Sequence, residues 1–232
     1  MKLSTPLTKK RIRDHFSYNA WKYLLAAALS VFGWNMFYLQ TQYRPPEEKR
    51  IDLYIQSSSA TSEQADAYFK AVWEKYVPDM EAVESVIVLP SSQDNYMTDV
   101  QLTTYLAARQ GDIYILSGVD YKKYAAQGAF LPLEDLVEKG VLKVQDEDLK
   151  SGFVTYRETQ IIDDKNIVVS QSHLYGIPTN KLEGLRDSLG LDIDNMYISI
   201  THANNNDENV IKFLAGLIEY AGSIQETEEF AP

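Results

Sequence analysis

The 232-residue sequence contains no cysteine and only three histidines. The absence of cysteine excludes disulfides, thiolate zinc sites and a thiol nucleophile. No Gly-x-Ser-x-Gly elbow, glycine-rich phosphate loop or His-Glu-x-x-His motif occurs, and no spacing of acidic residues matches a metal site. We therefore expect a protein that is not an enzyme, with no catalytic residue, no bound metal and no cofactor.

Basic residues are also scarce, with 22 Lys and Arg against 33 Asp and Glu and a formal net charge of -11. This charge argues against nucleic acid as a partner, because nucleic-acid binding requires a basic face. A content of 45% hydrophobic and 24% charged residues is typical of a globular chain. The length suffices for one hydrophobic core, or for one domain plus an anchor.

The charge is unevenly distributed along the chain, and the N-terminus is basic. Residues 1–22 carry six Lys and Arg and one acid, Asp14, and the apolar stretch 23–39 follows directly. About 17 residues is the short limit for a spanning helix. Tryptophan and tyrosine lie near its ends, as they do at membrane interfaces. The pattern predicts a transmembrane signal anchor at 23–39 in the cell membrane, with 1–22 cytoplasmic and the remainder extracytoplasmic.

Two alternatives to an uncleaved anchor compete for the same stretch. A buried core helix of this length is possible, and Gly33 and Asn35 weaken the membrane span, but globular helices seldom follow so many basic residues. A cleaved signal peptide requires a small-x-small cleavage site, whereas residues 36–42 are large. The uncleaved anchor is therefore the preferred interpretation.

Beyond the anchor, residues 40–50 form a polar linker that Pro45 and Pro46 stiffen, and residues 223–232 form an acidic tail. Residues 51–222 between them alternate strand and helix patterns. Ile51, Leu53 and Ile55 alternate as in a strand, and Thr61 with Gln64 forms a possible capping box for the helix that follows. Strands are predicted at 51–56, 84–89, 112–116, 153–157, 166–170 and 196–202, and helices at 61–76, 98–106, 119–127, 133–139 and 208–220. The alternation predicts an α/β domain, a parallel-rich sheet with flanking helices.

Several segments carry a family resemblance through their order along the chain. Arg109 to Gly118 runs from a charged helix end through Gly111 and Asp112 into an apolar strand and a Ser-Gly turn, and Gly128 to Leu136 follows. This order is similar to the first lobe of extracytoplasmic solute-binding proteins, the ligand-capturing components of ABC importers. The segments 175–180 and 196–220 resemble later parts of the same family.

The resemblance implies a periplasmic-binding-protein-like single lobe. Fewer than twenty residues separate Pro178 from Met196, whereas a complete second lobe needs on the order of 100 residues. We therefore expect a truncated relative whose second lobe is reduced to a stub.

Ligands of open α/β sheets bind beyond the carboxyl ends of the strands. The predicted ligand-binding residues in the loops at these ends are Ser57, Ser58, Asp94, Asn95, Tyr96, Ser117, Asp120 and Tyr121. Their side chains suit a small neutral polar ligand such as a sugar, bound by hydrogen bonds and aromatic stacking. The alternative is that these serines and asparagines only form turns and helix caps.

Two functions remain open at this point. The first is a membrane-anchored solute-binding-like domain, non-enzymatic, linked to ABC-type uptake of a small polar ligand and sharing surface with a membrane-protein partner. The second is a protein-interaction or accessory module of a membrane complex with a vestigial ligand cleft. A polar concavity at the strand ends favours the first, and a contiguous apolar patch there favours the second.

Overall fold

The computed structural model describes residues 8–41, 43–90, 96–145, 149–162, 165–201 and 207–228, with the side chains of residues 11–12, 96, 157–162, 165–169 and 223–228 excepted. It divides into two compact units, residues 1–44 and residues 45–232. The first unit contains one helix, α1 (Lys9–Thr41, 33 residues). The large apolar side chains of α1 are exposed, among them Trp21, Phe32 and Trp34.

The predicted transmembrane anchor at 23–39 is wrong. Among the helices of the described ranges, none is both long and apolar enough to cross a membrane. The apolar stretch is only at the short limit for a span, and the polar Ser30 and Asn35 interrupt it. Two further predictions depended on this stretch and are corrected together with the anchor. They are the cell-membrane localisation with a cytoplasmic N-terminus and the membrane contact through the N-terminal helix.

The second unit contains seven strands and six helices among its described residues. The strands are β1 (Arg50–Gln56), β2 (Ala82–Val88), β3 (Ile113–Ser117), β4 (Phe153–Ile162), β5 (Lys165–Leu174), β6 (Ile177–Pro178) and β7 (Met196–Ile200). The helices are α2 (Ser62–Tyr76), α3 (Tyr96–Ala107), α4 (Gly118–Ala125), α5 (Glu134–Glu138), α6 (Glu183–Leu189) and α7 (Asp207–Glu228). These bounds confirm the predicted α/β class and most predicted elements to within a few residues.

Five of the strands form one sheet in the order β2-β1-β3-β7-β6. β1 pairs in parallel with β2 and with β3, as the strand–helix alternation predicts. β7 pairs antiparallel with both β3 and β6, so the sheet is mixed. The strand predicted at 196–202 is therefore present as β7, within the same sheet as β1 and β3.

The two faces of the sheet bury different side chains, because successive residues of a strand point to opposite faces. Ile51, Leu53 and Ile55 of β1 belong to a large aliphatic cluster that α2 and α7 cover. Tyr54 belongs to a second cluster on the other face, rich in tyrosine, which also contains Tyr114. Both faces are thus covered, which leaves the strand ends as the open edges of the sheet.

Helix α2 begins at the capping box predicted from Thr61 and Gln64. The Gln64 backbone N–H donates to Thr61 Oγ1 over 3.3 Å, and the Thr61 N–H donates to Gln64 Oε1 over 3.2 Å. Two amide groups at the helix start are satisfied in this way. The capped start directs Ala65, Phe69 and Val72 into the core below β1.

The strands β4 and β5 form a separate two-stranded hairpin with ten paired positions, from Phe153 opposite Leu174 to Ile162 opposite Lys165. The strands predicted at 153–157 and 166–170 are both present in this hairpin, and each is twice as long as predicted. Its base is held by Glu134 of α5, whose Oε1 accepts hydrogen bonds from the Leu174 N–H and His173 Nδ1, both over 2.9 Å.

Candidate functional site

Three of the predicted ligand-binding residues meet at the carboxyl ends of β1 and β3. Ser57 directly follows β1, and Ser117 and Asp120 lie at the end of β3 and in the first turn of α4. β1 and β3 are neighbours, so these loops lie side by side at one edge of the sheet. Asp94, Asn95 and the side chain of Tyr96 lie outside the described residues.

A hydrogen-bonded network joins the ends of β1 and β3. The amide of Gln56 donates from Nε2 to Asp120 Oδ2 over 2.6 Å, and its Oε1 accepts from the Ser117 N–H over 2.8 Å. The Ser117 hydroxyl donates to the same Asp120 oxygen over 3.2 Å and caps α4 by accepting from the Asp120 N–H. Gln56 and Asp120 are both buried. The network fixes the two loops relative to each other, because its polar groups form hydrogen bonds with one another instead of with water.

Gln56 was not among the residues predicted for this site. Gln56 is the last residue of β1. A polar side chain at the end of an apolar strand is commonly exposed, so the sequence gives no sign that this one is buried. Its burial depends on Asp120, a residue 64 positions away in sequence. The only local signal for Gln56 is a polar residue that continues the strand just before a serine-rich turn.

Tyr121 is fully buried within the tyrosine-rich cluster. Its ring stacks on that of Tyr197 at a centroid distance of 4.3 Å and an interplanar angle of 15°. Its hydroxyl donates to the Gly152 carbonyl oxygen. Burial raises the pKa of Tyr121, so the hydroxyl remains a donor at neutral pH. The ring and the hydroxyl of Tyr121 therefore both contact other parts of the protein.

The loop after β1 presents one predicted residue to solvent. Ser57 is buried, and its Oγ accepts hydrogen bonds from the N–H groups of Ser59 and Ala60 over 3.1 and 3.0 Å, which forms a tight serine turn. Ser58 at the tip of this turn is exposed. The Ser59 hydroxyl donates to the Gly190 carbonyl over 3.0 Å and ties the turn to the end of α6. Ser58 is therefore held in a fixed position on the edge.

Apolar side chains are also exposed at this edge. Leu89 follows β2 and Val119 follows β3, with exposed fractions of 56% and 74%. Met97 at the start of α3 is 72% exposed. Strands lie roughly 5 Å apart, so Leu89 and Val119 flank the loop after β1. The carboxyl edge thus combines a fixed polar centre with apolar flanks.

No protein-family profile matches the chain, and no curated protein sequence matches it. Solved structures do resemble part of it. A family 1 extracellular solute-binding protein from Alicyclobacillus acidocaldarius matches 60% of the chain at 20% identity with a TM-score of 0.38, over 29% of its own length. An ABC substrate-binding protein from Listeria monocytogenes, in complex with cycloalternan, matches 55% of the chain at 19% identity with a TM-score of 0.33, over 28% of its length.

The maltose-binding protein MalE from Listeria monocytogenes, in complex with maltose, matches 57% of the chain at 16% identity with a TM-score of 0.33, over 27% of its length. All three are described as solute-binding or substrate-binding proteins. These are proteins of the class that the order of segments in the sequence resembles. The chain spans less than a third of the length of each of these structures.

Proposed function

We propose that the α/β unit is a partial solute-binding domain whose carboxyl edge forms one wall of a site for a small uncharged polar ligand, such as a sugar. The observation that carries this proposal is the network of Gln56, Ser117 and Asp120. It holds the loops after β1 and β3 in one arrangement before any ligand arrives. Preorganisation of this kind lowers the entropy lost on binding.

The chemistry of the edge favours a neutral ligand. Asp120 is buried and engaged by the neutral donors of Gln56 and Ser117, so its charge is directed into the protein. Ser58 offers an exposed hydroxyl, which can both donate and accept. Exposed apolar side chains such as Val119 provide apolar contact for the carbon face of a ring. Hydroxyl-rich ligands match this combination of groups.

One wall leaves a ligand open to water, so a second surface has to complete the site. We place this surface on another polypeptide, which contacts the exposed Leu89, Met97 and Val119 around the polar centre. Burial of apolar area of this kind stabilises association by about 25 cal/mol for each Å² removed from water. The chain alone is expected to bind its ligand weakly.

Titration calorimetry of the full chain with maltose tests the ligand part of the proposal. We expect Ser58→Ala to weaken maltose binding by about two- to tenfold, the value of one hydrogen bond. The exposed Ser170 of β5, far along the chain in the separate hairpin, supplies the matched control Ser170→Ala. Equal affinities for Ser58→Ala and the unmodified chain would remove the loop after β1 from the site.

The exposed apolar residues also support a second candidate, an accessory module that docks through this edge without any ligand. A well-folded chain that binds neither maltose nor other neutral sugars would favour this candidate. In that case Val119→Asp would reduce association with the partner and leave the unfolding midpoint nearly unchanged, because Val119 is largely exposed.

A further inference from the structure

A cavity of about 490 Å³ opens at the amino ends of β1 and β3, the edge opposite the proposed ligand wall. The seven-residue strand β1 separates the two edges by roughly 20 Å. The lining of the cavity includes the charged and aromatic residues Glu47, Arg50, Asp52, Tyr54, Arg109 and Asp112. Its volume is in the range of small-molecule sites, about 300–1,000 Å³.

The turn from α3 into β3 forms one wall of this cavity, and Arg109 occupies an unfavourable position in it. Helix α3 ends in a Schellman arrangement: the Gln110 N–H donates to the Tyr105 carbonyl over 2.9 Å and the Arg109 N–H to the Leu106 carbonyl over 3.1 Å. Arg109 takes the left-handed position, φ 52°, where glycine is usual. Among the described residues it is the only non-glycine with positive φ. Strained positions of this kind cluster at functional sites.

The same wall is rigid. Gly111 has φ 81°, and a Cβ at this position would overlap the Tyr54 ring, so the backbone lies directly on that ring. The Thr201 hydroxyl donates to the Gly111 carbonyl over 2.6 Å, and the Asp112 N–H donates to the Asp52 carbonyl over 2.9 Å. The strained arginine is therefore held beside the cavity by a well-anchored turn.

Two of the charged groups in the cavity neutralise each other. Arg50 donates from Nη2 to Asp52 Oδ2 over 2.9 Å, and its Nε lies 2.9 Å from Oδ1. Asp112 uses Oδ2 to accept from the Asp52 N–H over 2.8 Å. Arg109 and Glu47 are exposed, and among the described residues no hydrogen bond or ion pair engages the Arg109 guanidinium. Arg109 and Glu47 therefore present a cation and an anion to the same cavity, and Glu47 also interacts electrostatically with Arg50.

We propose that this cavity binds a small zwitterion of the amino-acid class, with its carboxylate on Arg109 and its ammonium group beside Glu47. A guanidinium pairs with a carboxylate through two parallel hydrogen bonds. A simple anion is disfavoured because the lining holds three carboxylates against two arginines. A simple cation is also disfavoured, because it would lie beside the positive charge of Arg109. A ligand that carries both charges satisfies both groups.

Thermal unfolding of the full chain tests this site with L-alanine and L-alanyl-L-alanine as probes. Each zwitterion at ten times its dissociation constant is expected to raise the midpoint by roughly 3 to 6 °C. Acetate, methylammonium and N-acetyl-L-alanine amide each lack one or both charges and should leave the midpoint unchanged. Absence of any shift with the two zwitterions, or an equal shift with the capped amide, would overturn the proposal.

The variant Arg109→Gly separates binding from stability. Glycine accepts the left-handed conformation without strain, so the unfolding midpoint of the free variant should rise by about 2 °C. Its affinity for L-alanine should nevertheless fall at least tenfold, and Arg109→Lys should recover part of it. Undiminished alanine binding in Arg109→Gly would contradict the assignment. Ser58→Ala, at the opposite edge, should not change alanine binding. The proposal for this cavity and the proposal for the ligand wall are therefore tested independently of each other.

Discussion

Replacement of Tyr121 by alanine is expected to lower the free energy of unfolding by about 3–5 kcal/mol, the usual range for truncation of a buried aromatic residue. Tyr121 is fully buried between aromatic neighbours, with the ring of Phe130 at 6.2 Å and that of Tyr197 at 4.3 Å. Its ring also packs against Gly176, where an added Cβ would lie 2.7 Å from Tyr121 Cε2. Urea unfolding of the full chain, followed by circular dichroism, measures the loss.

The conservative variant Tyr121→Phe isolates the hydroxyl. It keeps the stacking and removes the hydrogen bond to the Gly152 carbonyl, so we expect a loss of about 1–3 kcal/mol. A ligand-contacting tyrosine would behave differently, with reduced binding and little change in stability. Unchanged unfolding of Tyr121→Ala would show that this side chain is not part of the core.

The second large effect is expected at Gly152, where an alanine should lower the free energy of unfolding by about 3 kcal/mol. An added Cβ would overlap the Gly176 carbonyl oxygen and lie 2.8 Å from Leu174 Cδ1. Because the closest obstacle is backbone, it cannot move aside as a side chain does. The clash also displaces the carbonyl that accepts the Tyr121 hydroxyl.

Gly222 of α7 provides a matched control for this substitution. In the part of the chain that the structure describes, no heavy atom lies within 4 Å of a Cβ added at Gly222. Alanine is favoured over glycine within a helix by about 1 kcal/mol, so Gly222→Ala should stabilise the protein. A Gly152→Ala variant as stable as the unmodified chain would mean that Gly152, just before β4, and Gly176, between β5 and β6, do not approach as closely as the structure shows.

Local sequence patterns predicted much of the second unit. Thr61 with Gln64 predicted the start of α2, and the alternation of Ile51, Leu53 and Ile55 predicted β1 and the face it buries. Both signals lie within a few residues, and each specifies a hydrogen bond or a buried face without help from distant parts of the chain.

Features that depend on distant contacts could not be predicted in the same way. The antiparallel direction of β7 follows from pairs such as Ile113 with Ile200, which no local pattern encodes. The anchor prediction relied on the length of the apolar stretch, which the polar side chains of Ser30 and Asn35 interrupt.

The candidate site was predicted in location more successfully than in detail. Polar residues after parallel strands placed Ser57, Ser117 and Asp120 at one edge, because carboxyl ends of parallel strands meet there. The burial of Asp120 was not predictable, since it depends on Gln56, a residue 64 positions away at the end of the neighbouring strand β1. Tyr121 illustrates the same limit, because its stacking partner Tyr197 is on β7.

The most direct test of the proposed ligand wall is the ¹H–¹⁵N correlation spectrum of the full chain during titration with maltose. Binding at the carboxyl edge predicts that the largest amide shifts occur at residues 57–60 and 117–120, where the loops after β1 and β3 lie. Shifts concentrated at residues 109–112, or no shifts at either loop of the carboxyl edge at saturating maltose, would contradict the proposal.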